Sequence, residues 1–305
     1  MISTSDAPAT AEALLAEARR RTDARLSSWA ERLSVRVGGR DGAALGYALG
    51  SPGKRVRAAL VIAAYRAAGG TSSAIDGVAA AVETVHTYSL VHDDLPCMDD
   101  DDLRRGRATT HRAFDLPTAT RVGFLLVPVA AEVLCDAALT LGVTSDVLGG
   151  MAVELFQAGG VEGMVGGQWL DLEAEGRRLD LAELIAVHRG KTGALIRASC
   201  VLGGMAASAG PRELDALAAF GEEIGVAFQI ADDVLDATST SEALGKTAGR
   251  DEALHKSTYA QVMGVARARA EALRLAARAL SHLEGTACVS PSLAALANYI
   301  VTRSS

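Results

Sequence analysis

Aromatic residues are scarce in this 305-residue chain: Phe 5, Tyr 5 and Trp 2 make up only 4% of it. Its core must therefore close on small and aliphatic side chains. At 49% hydrophobic residues there are enough of them for a folded protein, well above the level of a disordered chain. Cysteine is nearly as rare. Cys97, Cys135, Cys200 and Cys288 lie far apart with no C-x-x-C pair, which argues against a disulfide framework or a zinc site and predicts free thiols in a reducing, cytoplasmic setting. Positive charge is in deficit, with Lys+Arg 30 against Asp+Glu 37 and a formal charge of −7. A nucleic-acid partner is not expected of such a chain. The longest apolar run near the middle, 122–131, contains Pro128 and is shorter than the roughly 18 residues of a membrane span, so no stable membrane association is expected. There is no Pro- or Ser-rich linker, and no repeat of about 20–50 residues that would mark a solenoid.

What is present is helical. Ala, Leu, Arg and Glu fill most segments, and β-branched alternation is hard to find. The periodicity predicts helices over about 9–34, 54–69, 74–95, 118–140, 145–174, 180–208, 211–236, 258–284 and 291–302. Gly-Pro and Ser-Pro pairs at Gly210-Pro211 and Ser290-Pro291 put proline in a first helical turn, its preferred helix position. Residues 1–8 read as a loose tail ahead of one domain over 9–305. The expected fold is all-α, a single large bundle of about ten helices around a central cavity.

Two groups of aspartates stand out. Gln229, Asp232, Asp233 and Asp236 are offset by 3, 4 and 7, which puts one amide and three carboxylates on one helical face. Like charges at that spacing repel by a few tenths of a kcal/mol, and a bound cation would neutralise them. Oxygen ligands on a rigid element suit Mg²⁺; a solvated acidic face is the alternative. The second group, Asp93, Asp94, Asp99, Asp100, Asp101 and Asp102, falls within ten residues. Asp93 and Asp94 end a helix that is otherwise apolar on that side, and Pro96 breaks it, so that Asp99 can turn back toward them. Arg104 and Arg105 follow at once, and arginine suits bidentate contact with phosphate. The combination points to a metal-bridged phosphate. An EF-hand does not fit, because the D-x-D-x-D-G pattern is missing.

Asp93-Asp-x-x-x-x-Asp99 with Arg104-Arg105-Gly106, followed later by Asp232-Asp-x-x-Asp236, resembles the trans-isoprenyl diphosphate synthase family from about residue 51 onward. The resemblance implies a prenyltransferase that condenses isopentenyl diphosphate with dimethylallyl or geranyl diphosphate. It implies Lys54, Arg57, His86 and Arg105 as ligands of isopentenyl diphosphate, and Arg104 at the allylic diphosphate. Asp93, Asp94, Asp99, Asp232, Asp233 and Asp236 would be the ligands of Mg²⁺, three ions in all. Lys191, Thr192 and Gln229 would lie by the allylic diphosphate and its reacting carbon, with Gln168, Asp171, Lys246 and Lys256 in support. A homodimer and a lid over 239–256 are further expectations.

In the family, residues just upstream of the first aspartate motif set product length. Tyr88 and Ser89 occupy those places, and a bulky Tyr resembles the bacterial farnesyl diphosphate synthases, whose product has fifteen carbons. A twenty-carbon geranylgeranyl product is the alternative. Four departures from the family pattern remain: Gly123-Phe124 replaces Gly-Asp or Gly-Glu, Pro128 follows in the same helix, Pro52 and Ala58 flank the Lys54–Arg57 segment, and the chain ends Arg303-Ser-Ser305 without a further basic residue. Two other readings are a non-catalytic subunit of a heteromeric synthase, disfavoured because both motifs are intact, and a terpene cyclase, disfavoured by a second cationic site.

Overall fold

The computed structural model describes residues 10–238 and 257–303. These form an all-α bundle. The helices are α1 (Ala11–Val37), α2 (Gly39–Leu49), α3 (Val56–Ala67), α4 (Ile75–Asp93), α5 (Thr110–Ala113), α6 (Leu116–Leu141), α7 (Ser145–Gly159), α8 (Met164–Glu173), α9 (Leu181–His188), α10 (Ala194–Ala206), α11 (Pro211–Thr238), α12 (Tyr259–Met263), α13 (Val265–Leu283) and α14 (Pro291–Thr302). A π turn over Arg189–Gly193 joins α9 to α10, and a two-stranded hairpin, β1 (Leu103–Arg104) with β2 (Arg107–Ala108), follows α4.

Local chemistry explains the starts and stops. Thr10 caps α1 by accepting from the Ala13 N–H, and Asp115 and Thr144 do the same for α6 and α7. At α9 a reciprocal capping box links Asp180 and Glu183. Helix α1 buries Leu14, Leu15, Ala18, Thr22, Leu26, Trp29 and Leu33, the three- and four-residue spacing of a single buried face. By contrast α3 is buried from Ala58 to Tyr65 on every side, and it packs between α4 and α10 near the centre of the bundle.

Several helices expected as continuous are divided. The 9–34 helix extends to Val37 and is followed by the separate α2. The 145–174 helix breaks at Gly160, whose backbone is extended. The 180–208 helix is interrupted by the π turn, and 258–284 is split at Gly264, with φ of 82°. Glycine tolerates that left-handed backbone at little steric cost. Helix α3 begins at Val56 because Arg55 has φ of 56°. The hairpin leaves no trace in the periodicity; its turn residues Arg105 and Gly106 both have positive φ, as a tight two-residue hairpin turn requires.

Helix α6 continues through Pro128. By length and composition it could cross a membrane, with a mean hydropathy of 2.0 over its most apolar window, half of which is buried inside the bundle. Val122, Leu126, Val129, Ala130 and Val133 make the buried side, and α4 is its main packing partner. The opposite side leaves Phe124, Val127 and Leu139 exposed.

Candidate active site

A cavity of about 520 Å³ opens among α4, the hairpin, α8, the π turn and α11. Of the residues singled out from sequence, Arg57, His86, Tyr88, Ser89, Asp93, Asp99, Arg104, Arg105, Gln168, Lys191, Thr192, Gln229 and Asp232 line it. Lys54, Asp94, Asp171, Asp233 and Asp236 are not part of that lining. Lys246, Lys256 and the lid expected over 239–256 lie outside the described residues. A larger cavity of about 810 Å³ shares Val165 and Trp169 with the first but holds none of the aspartates of either motif.

The cationic part of the site begins in the turn before α3. The Arg55 guanidinium is buried against Glu83 at 3.1 Å, Asp23 at 2.8 Å and the Ser51 carbonyl at 2.7 Å. Glu83 also accepts the Ala58 N–H at 3.2 Å. This buried network, unseen in sequence, fixes the turn, and the left-handed backbone of Arg55 lets residues on either side face different ways. Arg57 follows with its Nε buried and lacking a hydrogen-bond partner. Arg105 donates to the Pro52 carbonyl and so brings a second guanidinium to the same turn. Burial pushes the pKa values of Arg57, Arg105 and Lys54 below their ordinary ranges. Burial, then the neighbouring Arg57 and Arg105, holds His86 well below the usual histidine value. Cations gathered at such a cost, one with a buried donor unsatisfied, fit a polyanionic ligand.

The anionic part has two halves. At the end of α4 the chain folds back: Asp99 N–H bonds the Asp93 carbonyl at 2.8 Å, and Asp101 N–H that of Asp94 at 3.2 Å. This brings Asp99 to the cavity beside Asp93. Burial raises the Asp93 carboxyl to about 6, with Asp99 adding to the rise and Lys191 opposing it. Burial also raises Asp94, although Arg104 bonds its Oδ1 at 2.5 Å and works the other way. On α11, Asp232 is bound by Arg303 at 2.6 Å. Asp233 accepts from the Gln229 amide at 2.9 Å and from the Tyr259 N–H at 2.8 Å.

Between the halves sits the π turn. A Cβ on Gly167 would lie 1.9 Å from the Lys191 nitrogen, so α8 meets this turn backbone to backbone and only glycine fits there. Lys191 Nζ then reaches Asp171 at 2.6 Å, and the Thr192 hydroxyl donates to Gln229 Oε1 at 3.1 Å. Both polar atoms of the Gln168 side chain are buried with no hydrogen-bond partner among the described residues, which suits them to a polar ligand.

Among the described residues, no three His, Cys, Asp or Glu side chains are grouped closely enough to hold a metal ion unaided. The donors are nonetheless hard oxygens lining the same cavity as the cations. Such a site suits a small divalent ion that keeps water and substrate oxygens in its coordination sphere.

The chain is similar to known proteins over nearly all of this architecture. A family model described as polyprenyl synthetase matches residues 42–290. Farnesyl diphosphate synthase of Escherichia coli (strain K12) is 44% identical over 255 residues, covering 82% of this chain and 85% of that protein. A heterodimeric geranylgeranyl pyrophosphate synthase large subunit of Arabidopsis thaliana is 43% identical, covering 85% and 71%. Among solved structures, an FPP/GFPP synthase from Zymomonas mobilis superposes with a TM-score of 0.81 at 34% identity, covering 94% of this chain and 99% of that one. A geranyltransferase from Helicobacter pylori, complexed with magnesium and isoprenyl diphosphate, superposes with a TM-score of 0.80 at 30% identity, covering 98% and 97%. With its motifs, its bundle and its cavity in agreement, this chain belongs to the polyprenyl synthetase family.

Proposed function

We propose that this protein is a short-chain prenyltransferase that joins isopentenyl diphosphate to dimethylallyl or geranyl diphosphate and releases mainly farnesyl diphosphate. One observation carries the reading: a single cavity is lined by Arg57, His86 and Arg105 and also by Asp93, Asp99 and Asp232. That arrangement accommodates two diphosphates, one gripped by cations alone and one through metal.

Lys54, Arg57, His86 and Arg105 bind the diphosphate of isopentenyl diphosphate. His86, neutral at physiological pH, serves as a hydrogen-bonding group without adding charge. Arg104 and Lys191 hold the allylic diphosphate, with Lys246 and Lys256 assigned to it by resemblance. Asp93, Asp94 and Asp99 on one side and Asp232, Asp233 and Asp236 on the other are the candidate ligands of Mg²⁺, three ions by family likeness. Bound Mg²⁺ neutralises the charge that builds on the diphosphate as the allylic C–O bond breaks. Thr192 and Gln229 flank the allylic carbon, Gln168 and Asp171 support the wall, and the isopentenyl double bond attacks the cation. A proton is then lost to the departing diphosphate, so no side-chain base is required. Tyr88, Met98, Leu172 and Phe228 give the cavity apolar walls that exclude water from the carbocation.

Tyr88, with Ser89 one residue on, is the floor for a fifteen-carbon product, and a smaller side chain there would admit twenty carbons. The protein is read as a cytoplasmic homodimer. Support for the dimer comes from one apolar surface across α6 to α8, where Phe124 and Trp169 are each 65% exposed and Val161 is 81% exposed; such surfaces favour association. Neither nucleic acid nor membrane is assigned as a partner.

Diphosphate release assayed with isopentenyl and geranyl diphosphates tests the reading. Release should need both substrates and stop when Mg²⁺ is chelated. Release from geranyl diphosphate alone, at the same rate, would favour a cyclase or hydrolase instead.

A further inference from the structure

Asp233 belongs to an aspartate motif, yet it is only 4% exposed and does not line the cavity. Its Oδ2 accepts the Tyr259 backbone N–H at 2.8 Å, and its Oδ1 accepts the Gln229 side-chain amide at 2.9 Å. Gln229 Oε1 in turn accepts the Thr192 hydroxyl at 3.1 Å. The direction of this relay is dictated by its end. A backbone N–H can only donate and an ionised carboxylate can only accept. Gln229 must therefore turn its NH₂ toward Asp233 and its carbonyl toward Thr192. Thr192 has one hydroxyl proton, and it is committed to Gln229. The Thr192 side chain that lines the cavity therefore presents oxygen lone pairs there.

We infer that Asp233 is a positioning residue that acts through Gln229 to aim an acceptor oxygen of Thr192 at the carbon where positive charge develops. The inference rests on the prenyl-transfer reading above and refines the part the motif alone would give Asp233. A preorganised dipole of the right sign at a developing charge lowers the barrier without affecting ground-state binding. A hydroxyl proton in the same place would oppose the cation. The same carboxylate also ties the start of α12 to α11, so the polarity of the relay and the anchoring of residues 257–259 depend on one side chain. A second tie to that segment runs from the Leu179 N–H to Ser257 Oγ at 2.9 Å, which keeps it attached when Asp233 is changed.

The test is a double-mutant cycle. In Asp233→Asn the side-chain oxygen keeps the Tyr259 N–H, so its new NH₂ faces Gln229. Gln229 then flips, donates to Thr192, and releases the Thr192 proton into the cavity. In Asp233→Asn with Gln229→Glu, the carboxylate introduced at position 229 accepts both from the amide NH₂ at position 233 and from the Thr192 hydroxyl, restoring the original direction. Steady-state kinetics with geranyl and isopentenyl diphosphates, and Mg²⁺ titration in the presence of inorganic diphosphate, are the readouts. The single variant should lose about tenfold or more in kcat, as expected for a reversed dipole at the reacting centre. Its KM values and Mg²⁺ affinity should stay within about twofold of wild type, and the double variant should recover most of kcat. A fall in Mg²⁺ affinity in the single variant, an unchanged kcat, or no recovery in the double variant would overturn the inference. A wild-type protein that forms no prenyl product would instead overturn the reading on which it rests.

Discussion

Arg303, the last residue described, places its guanidinium 2.6 Å from Asp232 Oδ1 and 4.1 Å over the Phe228 ring. The end of the chain thus supplies a cation to the second aspartate group, where Mg²⁺ is proposed to bind. Its side chain is 4% exposed while that of Asp232 is 50% exposed, so the pair lies between a surface and a buried ion pair. Arg303→Gln should cost about 1–2 kcal/mol of stability in Mg²⁺-free buffer. Adding Mg²⁺ with inorganic diphosphate should narrow that difference, because the metal takes over the charge. Chemical denaturation under both conditions measures this; an equal difference in the two would contradict it.

The floor of the cavity is a series of rings. Tyr88 meets His92 edge-on at 5.1 Å, and His92 meets Phe124 at 5.4 Å. Gly123 leaves room for this series, since a Cβ there would lie 1.9 Å from His92 Nε2. Tyr88→Ala should lengthen the product beyond fifteen carbons. Gly123→Ala should displace His92 and with it Tyr88, at a cost of about 1–3 kcal/mol in stability. Chromatography of the dephosphorylated products tests both; an unchanged product length in Tyr88→Ala would show that another residue sets the limit.

The two aspartate groups are legible in the sequence because their spacing is local. Gln229, Asp232, Asp233 and Asp236 share a helical face whatever surrounds them. His86 and Tyr88 are legible only through resemblance, as a histidine or tyrosine on an apolar helix has many uses. What escapes a sequence reading is either backbone detail or long-range contact. The π turn that presents Lys191 and Thr192 depends on Gly167 approaching from α8, and no periodicity records such an approach. The Arg55–Glu83 and Arg303–Asp232 pairs join residues far apart in sequence. The helix breaks at Gly160 and Gly264 stay hidden because an isolated glycine inside a periodic pattern reads equally well as helix. The motif also treats Asp232 and Asp233 alike, whereas the fold gives one to the cavity and the other to a buried relay.

Lys191 bonds Asp171 at 2.6 Å and lines the cavity. Lys191→Met should reduce kcat/KM for geranyl diphosphate by about ten- to a hundredfold, the scale of a lost charge-assisted contact. The KM for isopentenyl diphosphate should change little, because its cationic site is separate. Parallel titration of the two substrates measures the contrast; equal losses for both would contradict the assignment.

His86 gives the protein a defined acid limb. Burial first, and then Arg57 and Arg105, hold its pKa well below the ordinary 6.5. Above that pH both the folded and unfolded forms are neutral and His86 contributes no pH dependence. As pH falls below 6.5 the unfolded chain takes up the proton first, so stability falls until the folded form also titrates. The slope from one such group is up to about 1.4 kcal/mol per pH unit. His86→Gln should flatten the decline in denaturant unfolding between about pH 6.5 and 5. An identical slope in the variant would show that other groups carry it.

Mass spectrometry of the dephosphorylated product formed from isopentenyl and dimethylallyl diphosphates with Mg²⁺ addresses the central claim most directly. The account predicts that the fifteen-carbon alcohol dominates and that it is absent when Mg²⁺ is chelated. No elongated product from any allylic primer would contradict prenyl transfer, and a dominant twenty-carbon product would contradict Tyr88 as the floor.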